Sequence, residues 1–132
     1  MKVAVVGSRN LTINNLGDYL PKDTTEIVSG GARGIDRCAR MYAKTHNIRL
    51  TEFMPEYERY GRSAPLKRNL QIIRYADIVL AFWDGKSHGT RFVIENCKKE
   101  NVPIKVLKPL DFQRFVYLGE FQNYTCNLFC SE

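Results

Sequence analysis

The chain has 132 residues and a formal charge of +6, with 44% apolar and 26% charged side chains. That composition fits one folded domain with a sizeable core and excludes a disordered or low-complexity chain. No apolar run approaches the roughly 20 residues that cross a bilayer, and residues 1–7 read as a strand and not as a leader. No membrane partner is therefore expected, and the expected location is cytoplasmic.

Taken in order, residues 2–6 form a β-branched run that predicts a first strand, ending at Gly7-Ser8-Arg9. Between residues 9 and 23 the pattern is weaker. Asn14 is placed to cap a short helix whose buried face is Leu16, Tyr19 and Leu20. Residues 25–29 predict the second strand. The partial apolar stripe Ile35, Ala39, Tyr42, Ala43 and His46 predicts a helix over Ile35–Thr45. A third strand over 49–54 is stopped by Pro55, and the polar stretch 56–63 reads as a mobile loop. Leu66, Leu70 and Ile73 repeat along one face of a helix over 65–75. Residues 77–83 form the clearest central strand, followed by a helix beyond Gly89 that includes Phe92, Val93 and Cys97. A last strand covers 103–107, before Pro109. This alternation predicts an α/β fold, a Rossmann-like, mostly parallel sheet with helices on both faces.

Two glycine-rich segments follow strands: Ser29-Gly30-Gly31-Ala32-Arg33-Gly34-Ile35-Asp36, and Asp84-Gly85-Lys86-Ser87-His88-Gly89-Thr90. Tight turns at strand ends expose backbone N–H groups, and a helix N-terminus beyond them favours anions. In such a sheet, Gly7, Gly30, Gly31, Gly85 and Gly89 all approach the edge where ligands bind. A phosphorylated nucleotide or nucleotide derivative is the expected ligand. Each residue also has a plainer account. The glycines serve the turn or let the backbone approach phosphate. Ser87 and Thr90 contact the ligand or cap a helix. Arg9 and Arg68 offer bidentate phosphate contacts or form surface ion pairs, and Arg33 neutralises phosphate or lies on the helix surface. Lys67 adds attraction, within a basic cluster that also holds Arg59 and Arg62. Asn69 holds a loop or reads a base edge. Asp36 stabilises a helix start, orients Arg33 or meets a ribose hydroxyl. His88 contacts phosphate, moves a proton or faces solvent, and Tyr57 and Trp83 stack on a base unless Trp83 belongs to the core. If the protein hydrolyses its ligand, Asp84 and Glu95 are the acid–base candidates; otherwise Asp84 meets a ribose hydroxyl or holds its loop.

Familiar phosphate motifs do not fit. The first strand leads into Gly-Ser-Arg-Asn and not GxGxxG, and Gly85-Lys86-Ser87 lacks the first glycine of a Walker A loop, whose position Leu80 occupies. The ordered set Gly7-Ser8-Arg9, the segment from Ser29 to Asp36, Lys67-Arg68-Asn69, and Phe82-Trp83-Asp84-Gly85-Lys86-Ser87-His88-Gly89-Thr90 instead resembles the SLOG superfamily. That group includes DNA-processing protein A and the LOG proteins, and the closest branch resembled is the small DUF2493 or YspA-related domains. The resemblance implies a nucleotide-binding domain over residues 1–108, binding of nucleotides or their derivatives, and, in its LOG branch, release of a base from a nucleoside monophosphate. LOG proteins carry a glutamate three residues after the threonine of Gly-Gly-x-Gly-Thr. That position is Val93 here, and Glu95 lies about 200° further around a helix.

The alternative function is non-catalytic binding of single-stranded nucleic acid, motivated by the charge, the arginine cluster and the C-terminal aromatics. Residues 109–132 read as an aromatic extension that packs on the same domain or at a homo-oligomer interface. Cys38 and Cys97 read as reduced core thiols. Cys126 and Cys130 lack the second Cys/His pair of a zinc site, so no metal or cofactor is expected.

Overall fold

A computed structural model describes residues 1–109. The expected C-terminal extension, with Cys126 and Cys130, lies outside the described residues apart from Pro109. Five strands, β1 (Lys2–Gly7), β2 (Glu26–Ser29), β3 (Arg49–Glu52), β4 (Ile78–Phe82) and β5 (Ile104–Leu107), form one sheet in the order β3-β2-β1-β4-β5. Every pairing is parallel. The helices are α1 (Ile35–Thr45), α2 (Tyr57–Tyr60), α3 (Ala64–Tyr75) and α4 (His88–Lys99).

Alternation along the strands builds two cores. Val3 and Val5 of β1, Ile27 of β2 and Leu80 and Phe82 of β4 pack with Ile35, Ala39 and Ala43 of α1 on one face. Ala4, Val6, Val28, Val79 and Ala81 meet Ile72 and Ile73 of α3 and Val93, Ile94 and Cys97 of α4 on the other. Successive residues of a strand point to opposite faces, so an apolar run through β1 and β4 is what a sheet covered on both sides requires. The connections after β1 and β4 therefore leave on opposite faces of the sheet. A crevice opens between their carboxyl ends, where ligands approach folds of this kind. No described helix is long and apolar enough to cross a membrane.

Two local expectations change. The segment expected as a loop at 56–63 holds the single-turn helix α2 and a 3-10 turn over Gly61–Ser63, elements too short to leave a periodic signal in sequence. The first crossover holds only a 3-10 turn, Leu16–Asp18, preceded by Asn15 with no side-chain cap. Leu16 and Tyr19 are buried as expected, but the burial comes from an irregular segment laid over α1. Cys97 is fully buried and Cys38 is half-buried, accepting a hydrogen bond from the Ile13 amide at 3.4 Å.

Candidate functional site

The crevice is a cleft of about 730 Å3 whose floor is the end of β1, Gly7 and Ser8, and whose walls come from the starts of α1, α3 and α4. Its volume lies in the range of small-molecule sites. Four arginines line it, Arg9, Arg33, Arg62 and Arg68, against two carboxylates, Asp36 and Asp84.

The loop after β4 is organised from within. The Asp84 carboxylate accepts the Lys86 and Ser87 amides, both at 2.8 Å, and the Ser87 hydroxyl at 3.1 Å. The Ser87 and Ser8 hydroxyls share a hydrogen bond of 2.8 Å, and the Asp84 amide donates to Ser8 Oγ at 3.1 Å. The Ser87 amide foremost, helped by the Lys86 amide and the serine hydroxyls, holds the Asp84 carboxyl down at about 2. Asp84 is therefore ionised at neutral pH and has no proton to donate as an acid. Because the Ser87 side chain is engaged with Ser8 and Asp84, it makes no capping bond to α4. The first turn of α4 thus meets the cleft at His88, Gly89 and Thr90 without a side-chain cap, and its N–H groups are open to an anion.

The loop after β2 is built around Arg68. This guanidinium is buried, 8% exposed; it donates to the Gly30 carbonyl at 2.5 Å and to Asn69 Oδ1 at 2.9 Å. A Cβ on Gly30 would stand 2.5 Å from Arg68 Nη1 and 3.1 Å from Asp36 Oδ2. Asp36, also buried, accepts the Ala32 amide at 3.1 Å. Burial raises its pKa against the opposing pull of the Ala32 amide and Arg68. With Asn69 Oδ1 fixed by Arg68, its amide nitrogen is the remaining donor, and it lies 3.9 Å from where a Gly89 Cβ would be. Asn69 Nδ2, the Thr90 hydroxyl and the α4 amides thus form one donor cluster.

Of the expected site residues, Gly7, Ser8, Arg9, Arg33, Asp36, Arg68, Asn69, Asp84, Ser87, Gly89 and Thr90 line this cleft. Gly30 and Gly31 line a smaller adjoining lobe of about 390 Å3 with Met54, Pro55 and Tyr57, and Gly34 borders a groove along α1 that meets the cleft at Arg9, Asn10 and Arg33. Gly85, with φ +84°, forms the turn and borders none of these three hollows. Glu95 is exposed on α4 and lines none of them either, so it is not brought to Asp84. Val93, at the position three residues past Thr90, does line the cleft and is buried. Of the two roles open to Trp83, the structure shows the core one: its indole donates to the Ser87 carbonyl at 3.1 Å, Arg91 lies over its ring, and it packs against the α3–α4 core instead of facing the cleft. The basic cluster divides, with Arg68 buried and Arg62 on the cleft, while Arg59 and Lys67 flank the Tyr60 ring. Sequence reading missed the apolar wall, Val6, Pro65, Leu66 and Ile72; the helix start at Ala64 was its available signal.

Comparison with known proteins gives two matches. The family model described as DNA recombination-mediator protein A matches residues 1–73. A stretch of 84 residues is 33% identical to the Gene 61 protein of Mycobacterium phage D29, covering 59% of this chain and 67% of that protein. No solved structure matches.

Proposed function

From the premise that this chain belongs to the DNA recombination-mediator protein A family, part of the SLOG superfamily, we propose that its cleft binds a phosphorylated nucleotide or nucleotide-derived ligand. The observation that carries the reading is the uncapped start of α4, where Gly89, Thr90 and Asn69 bring donors together opposite Arg9 and Arg33. Phosphate sits on this cluster, and the two exposed arginines close it from the β1 and α1 side. The sugar and base extend along Pro65, Leu66 and Val93. The chemistry is recognition without cleavage of the N-glycosidic bond. Asp84 is committed to its loop, Glu95 lies off the cleft, and an apolar side chain stands at Val93, where a glutamate would be needed to support a departing base.

The test is calorimetric titration of AMP and ADP into the wild type, Arg33→Ala and Thr90→Val. Arg33 is exposed and has no hydrogen bond among the described residues, so its removal leaves the fold intact. Loss of one engaged charge-assisted bond costs about 1.5–3 kcal/mol, roughly ten- to a hundredfold in Kd. Absence of binding, or binding indifferent to both changes, rejects the site. A second reading, binding of single-stranded nucleic acid, is favoured by one observation: Arg9 and Arg33 border the cleft, the smaller lobe and the α1 groove alike, and Arg37 continues that basic line along the groove. It predicts affinity that grows with oligonucleotide length and falls steeply with salt.

A further inference from the structure

We infer that the ligand of this cleft is a dinucleotide, two nucleosides joined 5′ to 5′ through a pyrophosphate, with its anionic bridge at the centre and a base in each of two lobes. The inference rests on the nucleotide-binding reading above and adds a second base-binding lobe to it.

The first observation is the shape of the site. The main cleft and the smaller lobe adjoin. They share Arg9, Ala32, Arg33 and Arg68, so a basic ridge stands between them, and space for a ligand lies on both sides. A mononucleotide carries its anion at one end. Seated with its phosphate on the α4 donors against this ridge, it fills the main cleft and leaves the smaller lobe to water. A molecule with its charge in the middle fills both.

The second observation is where apolar surface is exposed. Among the described residues five large apolar side chains are exposed: Met1, Met41, Met54, Tyr57 and Leu66. Three of them border these two lobes, Leu66 on the main cleft, and Met54 and Tyr57 on the smaller one. Tyr57 is 57% and Met54 54% exposed. Leaving such side chains in water on both sides of a charged ridge makes sense where flat apolar groups cover them. Pro65 stands beside Leu66 and Pro55 beside Tyr57, so each lobe has a rigid apolar wall as well.

The third observation is that the polar middle has two anion stations. One is the α4 start with Thr90 and Asn69. The other is the pair Arg9 and Arg33, which border both lobes. Two stations suit the two phosphates of a pyrophosphate bridge.

The experiment measures Kd for AMP, ADP and diadenosine diphosphate, and for oligodeoxyadenylates of two and ten nucleotides, with wild type and Tyr57→Ala. Tyr57 belongs to neither core cluster and is mostly exposed, so the variant folds, which circular dichroism checks. The expected result is diadenosine diphosphate binding at least tenfold tighter than ADP, with that ratio falling toward one in Tyr57→Ala. Equal binding of ADP and diadenosine diphosphate overturns the inference while leaving the mononucleotide site standing. A ratio unaffected by Tyr57→Ala overturns the second lobe. Affinity that climbs from the two- to the ten-nucleotide strand and exceeds that of the pyrophosphate-linked compound assigns the surface to a polymer and also overturns it. No binding by any of these compounds removes both proposals together.

Discussion

The two glycine loops look alike in sequence and do opposite work. In the loop after β2, glycine is a packing requirement. Gly34 has φ +75°, and a Cβ there would stand 2.5 Å from the Arg9 carbonyl oxygen and 2.7 Å from that of Ser8. Gly30 makes room for Arg68 and Asp36, and Gly31 for the Met54 sulfur. In the loop after β4, a Cβ on Gly85 meets nothing within 4 Å, and one on Gly89 meets only Asn69 Nδ2 at 3.9 Å. The first loop is pressed against its own protein. The second is surrounded by space. A glycine with a steric reason explains itself, whereas Gly89, in the first turn of a helix with room for a side chain, has no packing reason to be glycine.

The sharpest way to break this contrast is Gly34→Ala. The change places a methyl group against backbone that cannot swing aside and imposes a left-handed conformation on a residue with a Cβ. A destabilisation on the order of 3 kcal/mol or more is expected in urea unfolding. A loss under about 1 kcal/mol would mean that this loop relaxes as freely as its counterpart.

Arg68→Met comes next. It removes the bonds to the Gly30 carbonyl and Asn69 and leaves Asp36 buried without its nearby cation, at a cost of about 2–3 kcal/mol. The pH dependence identifies the cause. Burial holds the folded pKa of Asp36 above its ordinary value, so its contribution is full at low pH and is lost as pH rises through the folded pKa. Without Arg68 that pKa rises further, and the variant loses more at pH 7 than at pH 4. A penalty equal at both values would trace the loss to packing alone.

Asp84→Ala tests the second loop and should behave in the reverse sense. Its carboxylate is held at about 2, below the ordinary value near 3.9. The stabilisation is present above about pH 4 and disappears as pH falls through about 2. The variant is expected to lose about 1–2 kcal/mol at pH 7, as for removal of a capping side chain. The gap from wild type should close on acidification. A gap constant from pH 7 to pH 3 would mean that the charge of Asp84 is not what orders the turn.

Most of the fold was readable because a sheet buried on both faces needs continuous apolar strands, and residues 2–6 and 77–83 supply them without ambiguity. Helices α1, α3 and α4 carried apolar stripes long enough to register. Short elements did not: α2 and the turn at Leu16–Asp18 complete no repeat. In the site, the charged and glycine residues were legible by type, yet their roles depended on three dimensions. Arg68 and Arg9 are indistinguishable as letters. Only the sheet order reveals that Arg68 is buried against Gly30 while Arg9 stands free at the cleft. Trp83 stayed undecided between base and core for a related reason, because the end of a strand can face the ligand edge or the helix layer, and its neighbours in sequence do not decide which. Val6, Leu66 and Ile72 escaped notice because apolar residues on regular elements look the same whether they bury one another or wall a cleft.

The smallest expected effect on stability is also the most informative. Gly89→Ala adds one methyl group to the first turn of α4, in a helical conformation and with space around it. Alanine exceeds glycine in helix propensity, so the fold should be unaffected or stabilised by up to about 1 kcal/mol. The same methyl group projects toward Asn69 Nδ2, across the approach to the α4 amides. Binding of ADP should therefore weaken by tenfold or more while thermal stability holds or rises. That opposition separates the two loops more cleanly than any loss of stability can. A residue kept as glycine for the protein's own packing loses both properties when changed, and one kept for a ligand loses only binding. If Gly89→Ala lowers stability, the loop after β4 is packed as tightly as the loop after β2 and the contrast fails. If it raises stability and leaves nucleotide affinity untouched, the phosphate does not sit on α4, and the arginine ridge at Arg9 and Arg33 becomes the anion's main support.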